Sequence, residues 1–137
     1  MIVTGLRGQS LDVGALVDSL RHPGAGALVV FEGTTRATSD HGDVVALDYE
    51  AYESRAEAQL REFAEAAVAQ WKLHGAIAVH RVGSVLPAET GVVVAVSSGH
   101  RAEAFEACRF LIDRIKAEAA IWKKELFADG AGRWVEA

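Results

Sequence analysis

Two lysines and their neighbours are the first candidates for chemistry. Ile121-Trp122-Lys123-Lys124-Glu125-Leu126-Phe127, drawn out as a strand, sends Ile121, Lys123, Glu125 and Phe127 to one side and Trp122, Lys124 and Leu126 to the other. Each side then mixes charge with bulky apolar groups. A lysine among such neighbours loses hydration, so its pKa falls and it becomes usable as a base or nucleophile. Glu125 is spaced to hold Lys123 in place. The same pattern also suits an edge strand guarded from aggregation by its lysines, and the two readings weigh equally. Lys116, late in a helical stretch, suits the negative end of a helix dipole and says little alone.

Two further segments suit an anion. Ser97-Ser98-Gly99-His100-Arg101 joins an apolar run to a helix start, where free backbone N–H groups favour negative charge. Arg101 sits at the wrong end of that helix dipole, a conflict that a bound anion removes. Its planar fork of donors suits phosphate. The plainer alternative is a surface arginine beside a helix-capping histidine. Phe31-Glu32-Gly33-Thr34-Thr35-Arg36 ends a strand, with Gly33 allowing close backbone approach and Arg36 leading into a loop. A solvated strand-end arginine is the commoner case.

Other chemistries are not expected. The five histidines, His22, His41, His74, His80 and His100, lack metal-ligand spacing, so neither a metal nor another cofactor is predicted. Phosphate-loop and dinucleotide glycine motifs are missing. Cys108 is the sole cysteine; it falls on an apolar helix stripe and reads as a buried small hydrophobe. One cysteine allows no internal disulfide and fits a reducing compartment. The net charge of −5 argues against non-specific nucleic-acid binding, though not against a local basic pocket. No apolar run reaches membrane-spanning length, and the N-terminus lacks a signal-peptide core. A cytoplasmic protein is expected.

The elements that must position these residues follow from periodicity. The 137 residues suit one domain over 1–137 with no internal boundary. Leu11, Leu16 and Leu20 predict a short helix over 10–20, with Ser10 as its N-cap. Strands are predicted at 26–36 and 44–52, the latter with Val45, Leu47 and Tyr49 on one face, around a flexible loop at 37–43. Leu60, Phe63, Ala64, Ala67, Val68 and Trp71 predict a helix over 54–72, and Phe105, Cys108, Leu111, Ile112 and Ile115 one over 101–118. Strands follow at 76–83, 92–96, 121–127 and 132–135. Val92 to Val96, apolar on both faces, reads as a covered central strand. The result is an α+β fold with a mainly antiparallel or mixed sheet covered by two long helices.

Several segments together resemble the molybdopterin synthase catalytic subunit family. They are Gly26 to Arg36, Leu47 to Tyr52, His80-Arg81-Val82-Gly83, Gly91 to Val94, Ser98-Gly99-His100-Arg101-Ala102-Glu103-Ala104-Phe105, Lys116 with Ile121-Trp122-Lys123-Lys124-Glu125, and Arg133 to Ala137. The resemblance implies an α/β hammerhead fold and a homodimer within a heterotetramer. The partner would be a small ubiquitin-like sulfur-carrier subunit. Its C-terminal Gly-Gly thiocarboxylate would supply sulfur twice to cyclic pyranopterin monophosphate, giving the dithiolene of molybdopterin. Sulfur then comes from the partner, which removes the need for a catalytic cysteine. By the same likeness Lys116 and Lys123 are the catalytic pair. His100 and Arg101 hold the pterin phosphate across a dimer interface, Arg36 binds substrate or carrier tail, and Phe31 and Glu125 support the pocket. Members often continue past Val135-Glu136-Ala137 with a further arginine and a polar tail, which these residues do not match. A non-catalytic dimeric module that binds an anionic metabolite is the alternative.

Overall fold

The computed structural model describes residues 1–136, leaving aside the side chain of Glu136; the last position of the Arg133 to Ala137 segment lies outside the described residues. The elements are β1 (Ile2–Arg7), α1 (Val13–Asp18), β2 (Ala27–Thr34), β3 (Thr38–Ser39), β4 (Gly42–Ala51), α2 (Glu53–Trp71), β5 (Gly75–Arg81), β6 (Gly83–Val85), β7 (Thr90–Ser98), α3 (Arg101–Glu118), β8 (Ile121–Phe127) and β9 (Gly132–Glu136). The α+β class and the two long helices stand as the sequence pattern requires.

One sheet runs β1-β5-β7-β2. Its β1–β5 pair is parallel and the other two pairs are antiparallel. β5 and β7 are central, and their small or β-branched residues are covered on both faces. Ala76, Ala78, Val92, Val94 and Val96 meet Leu60 and Phe63 of α2 and Leu111, Ile112 and Ile115 of α3. Ile77, Val79, Val93 and Ala95 meet Leu20 and the α1 side chains on the opposite face. Period-two alternation thus divides two cores between one pair of strands. Each large side chain fully withdrawn from water contributes roughly 1.5–3 kcal/mol, so the α2/α3 face dominates the anchoring of α3.

The second sheet runs β3-β4-β8-β9, with β6 also on β4, and its pairs are antiparallel. Three expectations are corrected here. The 37–43 stretch is not simply a loop: Thr38 and Ser39 pair back on β4, because Gly42 at φ +130 permits the tight reversal. The Val45-Leu47-Tyr49 face is broken by a register shift between Val44 and Ala46 against β8. A bulge adds a residue and turns the next side chain over, so Val45 is exposed while Leu47, two residues on, is buried beside Ala46. Helix α1 begins later than expected and is capped by Asp12, whose carboxylate accepts from the Ala15 N–H at 3.0 Å. Among the described residues no helix is long and apolar enough to cross a membrane.

Candidate active site

Lys116 belongs to the last turn of α3 and Lys123 to β8. A short turn joins them, and α2 holds that turn. The Gln59 side chain donates to the Glu118 carbonyl and accepts from the Ala120 N–H, both at 2.8 Å. The Tyr52 N–H also donates to the Ala120 carbonyl at 3.1 Å. A mid-helix glutamine reads in sequence as solvated surface, so this clamp left no signal there. It fixes how the strand leaves the helix, and so where the second lysine points relative to the first.

Both lysines line one enclosed cavity of about 70 Å³. Thr34, Tyr49 and His80 supply its other polar groups, and Leu47, Val92, Ile112, Ile115 and Ile121 its apolar wall. Gly33 completes the rim. A β-carbon there would press on Val92 Cγ1 at 2.6 Å, so any larger residue would force the Val92 side chain of the cavity wall to move. Ile121 and Lys123 share the inward face of β8, as period two demands. Lys124 turns outward, 5.6 Å from the Trp134 ring centre. Arg36 is exposed just past β2, and its neighbour Thr35 is tied to the 86–90 loop. The Thr35 N–H donates to the Glu89 carbonyl at 3.1 Å and the Ala88 N–H to the Thr35 carbonyl at 2.8 Å.

The electrostatics agree with this gathering. Burial lowers the Lys123 pKa from its ordinary value. The charges of Lys116 and Arg36 push the same way, and that of Glu125 opposes them. Glu125 is 6% exposed and lies opposite Leu47 and Arg133 in the sheet. Phe31 does not line the cavity. It packs with the α2/α3 core, and its ring lies 3.5 Å from where a Gly33 β-carbon would stand, so it backs the strand at that rim. Burial raises the Tyr49 pKa, keeping it a phenol.

His80 is 4% exposed. Burial, then Lys116 and Lys123, lower its pKa to about 4 against a raising contribution from the Arg81 carbonyl. This predicts an acid weakness. Free in the unfolded chain the imidazole titrates near 6.5. Between those values the unfolded chain binds a proton that the folded chain refuses, so stability falls as pH falls. The loss approaches the order of 3 kcal/mol near pH 4. Urea titrations at pH 7 and pH 4.5 on the wild type and His80→Gln check it: the variant should show the smaller loss.

The structure does not bring His100 and Arg101 to this cavity. They stand at the opposite end of α3, about 22 Å from Lys116 by helix rise. There they border an open hollow with Gly26, Gly99 and Ala102. His100 takes the N-cap position in extended conformation without a side-chain cap, contrary to the capping alternative, so the helix-start N–H groups stay available to an anion. Gly26 is needed there, because a β-carbon would collide with the Gly99 carbonyl oxygen. One chain therefore carries two cationic places: an enclosed one with Lys116, Lys123 and Arg36 nearby, and an open one with His100 and Arg101.

Comparison with known proteins places the chain in a family. The family model described as MoaE protein matches residues 6–118, a span that includes Arg36, His80, His100, Arg101 and Lys116 and ends before Lys123. The molybdopterin synthase catalytic subunit of Thermoplasma volcanium is 45% identical over 119 residues, covering 87% of each chain. Molybdopterin synthase from Staphylococcus aureus superposes with a TM-score of 0.88 at 31% identity, covering 97% of this chain and 96% of that one. The molybdopterin biosynthesis MoaE protein of Burkholderia ambifaria follows at 0.83 and 38%, covering 100% and 90%. By family model, by sequence and by fold, the chain belongs to the MoaE family, that of the molybdopterin synthase catalytic subunits.

Proposed function

We propose that the chain is the catalytic subunit of a molybdopterin synthase, transferring sulfur from the C-terminal thiocarboxylate of a small ubiquitin-like carrier to cyclic pyranopterin monophosphate. The observation that carries this reading is the convergence of Lys116 and Lys123 on one enclosed cavity. The space is narrow enough to favour an extended glycine tail over bulky side chains. Its two ammonium groups match an anionic end. Each transfer forms a carbon–sulfur bond on the precursor in place of a carbon–oxygen bond, whose oxygen leaves. It breaks the carbonyl carbon–sulfur bond on the carrier, where water supplies a new carbon–oxygen bond and leaves a carboxylate. Negative charge develops at that carbonyl oxygen, where pre-placed cations in a water-poor site stabilise it most. With its pKa lowered, Lys123 also exchanges protons more readily than an ordinary lysine.

Arg36 stands where it can bind the carrier tail or the substrate. His100 and Arg101 would serve the pterin phosphate from a second copy of the chain, since their own copy holds them a helix length away. The working assembly is then a homodimer with two carriers, in the cytoplasm. The reading is tested by incubating the purified chain with thiocarboxylated carrier and the pterin precursor and following dithiolene product by mass spectrometry. No product with an intact, folded chain refutes it.

Sulfur supplied by a partner leaves Cys108 without a chemical role. Burial pushes its pKa up to about 11, and its thiol donates to the Val94 carbonyl at 3.6 Å. A thiol held protonated and enclosed is a poor nucleophile. Cys108→Ala is expected to retain sulfur transfer, and the folded wild type to resist an aromatic disulfide reagent until unfolded. Rapid labelling of the native chain, with activity lost in parallel, would contradict this.

A further inference from the structure

We propose that His80 is a positioning residue of the lysine cavity: a neutral imidazole, fixed in one tautomer by the Arg81 carbonyl, that presents Nε2 as a hydrogen-bond acceptor to the ammonium groups of Lys116 and Lys123. The inference rests on the catalytic-subunit reading for its purpose, not for its geometry.

The tautomer follows from one contact. His80 Nδ1 lies 2.7 Å from the Arg81 carbonyl oxygen. A carbonyl only accepts, so Nδ1 carries the proton and Nε2 keeps its lone pair. The ring is held from the side by Tyr49, edge-on at 4.8 Å between centres and 73° between planes. His80 pairs across the sheet with Val92, and directly opposed residues present side chains to the same face. Both line the lysine cavity. The charges acting on the ring come from Lys116 on α3 and Lys123 on β8, and with burial they keep it neutral down to about pH 4.

A neutral acceptor is what this cavity requires. An ammonium group has three N–H donors. A bound carboxylate or thiocarboxylate takes one or two of them, and apart from the Thr34 and Tyr49 hydroxyls and His80 the remaining wall is apolar. Lys116 keeps an exposed side and Lys123 is half-buried, so the donor in question is one turned inward to the cavity, where leaving it unmet costs free energy. A carboxylate in His80's place would satisfy it, but would also cancel the positive field and raise the lysine pKa values. A neutral imidazole satisfies the donor and leaves the field intact. His80 is thus read as aiming the lysines without accepting a proton in the reaction.

The test uses two amides that separate the ring's nitrogens. His80→Gln carries its amide to the place of Nε2; His80→Asn reaches only that of Nδ1. Thermal melts first establish that each folds, and His80→Phe is added if it does. Turnover is measured with the carrier and precursor. In parallel, the apparent pKa of Lys123 is followed by NMR on lysine-labelled chain without substrate. His80→Gln should stay near wild type in both. His80→Asn and His80→Phe should lose roughly 10–100-fold in kcat, the effect of one hydrogen bond to a charged group, with little change in KM. Their Lys123 pKa should fall by about one unit, the equivalent of tenfold. A smaller side chain that merely admitted water would move it the other way. Equal behaviour of the Gln and Asn variants overturns the proposal, as does a Phe variant with wild-type turnover and an unmoved lysine. If no chain, wild type included, makes dithiolene, the catalytic-subunit reading fails, and the lysine titration alone then decides for or against His80.

Discussion

Lys123→Ala is expected to lower dithiolene formation roughly 10²–10³-fold, the scale of losing one pre-placed charge or donor at a developing oxyanion, and Lys123→Arg is expected to rescue little of it. The arginine variant is the sharper of the two. Arginine keeps the positive charge, so a site that merely gathers an anionic metabolite should tolerate it with a modest change in affinity. Arginine scarcely loses its proton, however, and its fork is wider than an ammonium. A cavity of about 70 Å³ gives that fork little room. Lys123 is also held below the ordinary lysine pKa by burial, Lys116 and Arg36, a feature that charge alone does not need. Single-turnover rates with pre-assembled complex separate the cases: a large fall in rate at unchanged carrier affinity supports catalysis, whereas near-normal turnover in Lys123→Arg favours the non-catalytic binding module. Lys116→Ala should fall on the same scale, and should also raise the Lys123 pKa, because one of the charges depressing it is gone.

How much of this was legible in the sequence depended on the range of the signal. The helices at 53–71 and 101–118 were readable because a covered face repeats every three to four residues. The shared direction of Ile121 and Lys123 was readable because a strand alternates strictly. Both are local rules. The bulge between Val44 and Ala46 breaks such a rule, and only the partner strand β8 reveals it. Gln59 and His80 escaped for a different reason. Glutamine on a charged helix face and histidine in a search for metal spacing carry no local mark, and their roles come from elements remote in sequence. Gln59 reaches the turn at 118–120, and His80 meets α3 and β8 at the cavity. The resemblance to a family named Lys116, Lys123, Arg36, His100 and Arg101 together, but gave no distance between them. The fold shows that the length of α3 separates them into two places.

That separation leads to the second large effect, complementation between inactive chains. If phosphate is held by His100 and Arg101 of one copy beside the lysine cavity of another, Arg101→Ala and Lys123→Ala damage different halves of each composite site. Either variant alone should be strongly impaired. Mixed under conditions that let dimers exchange, half of the dimers become hybrids. In each hybrid one site receives both defects and the other receives none. Activity should therefore recover to about a quarter of the wild-type value, far above either parent. The control is a mixture of Lys116→Ala with Lys123→Ala. Those two residues line one cavity of one chain, so their hybrids leave no site intact and should stay inactive. Recovery in neither mixture would mean that the open hollow at the start of α3 does not serve the lysine cavity of a second copy. Recovery in both would mean that the two lysines do not act from the same chain. Only the asymmetric result, with Arg101 complementing Lys123 and Lys116 failing to, fits a fold in which one helix carries a cation cluster at each end and a second copy brings the far cluster to the cavity.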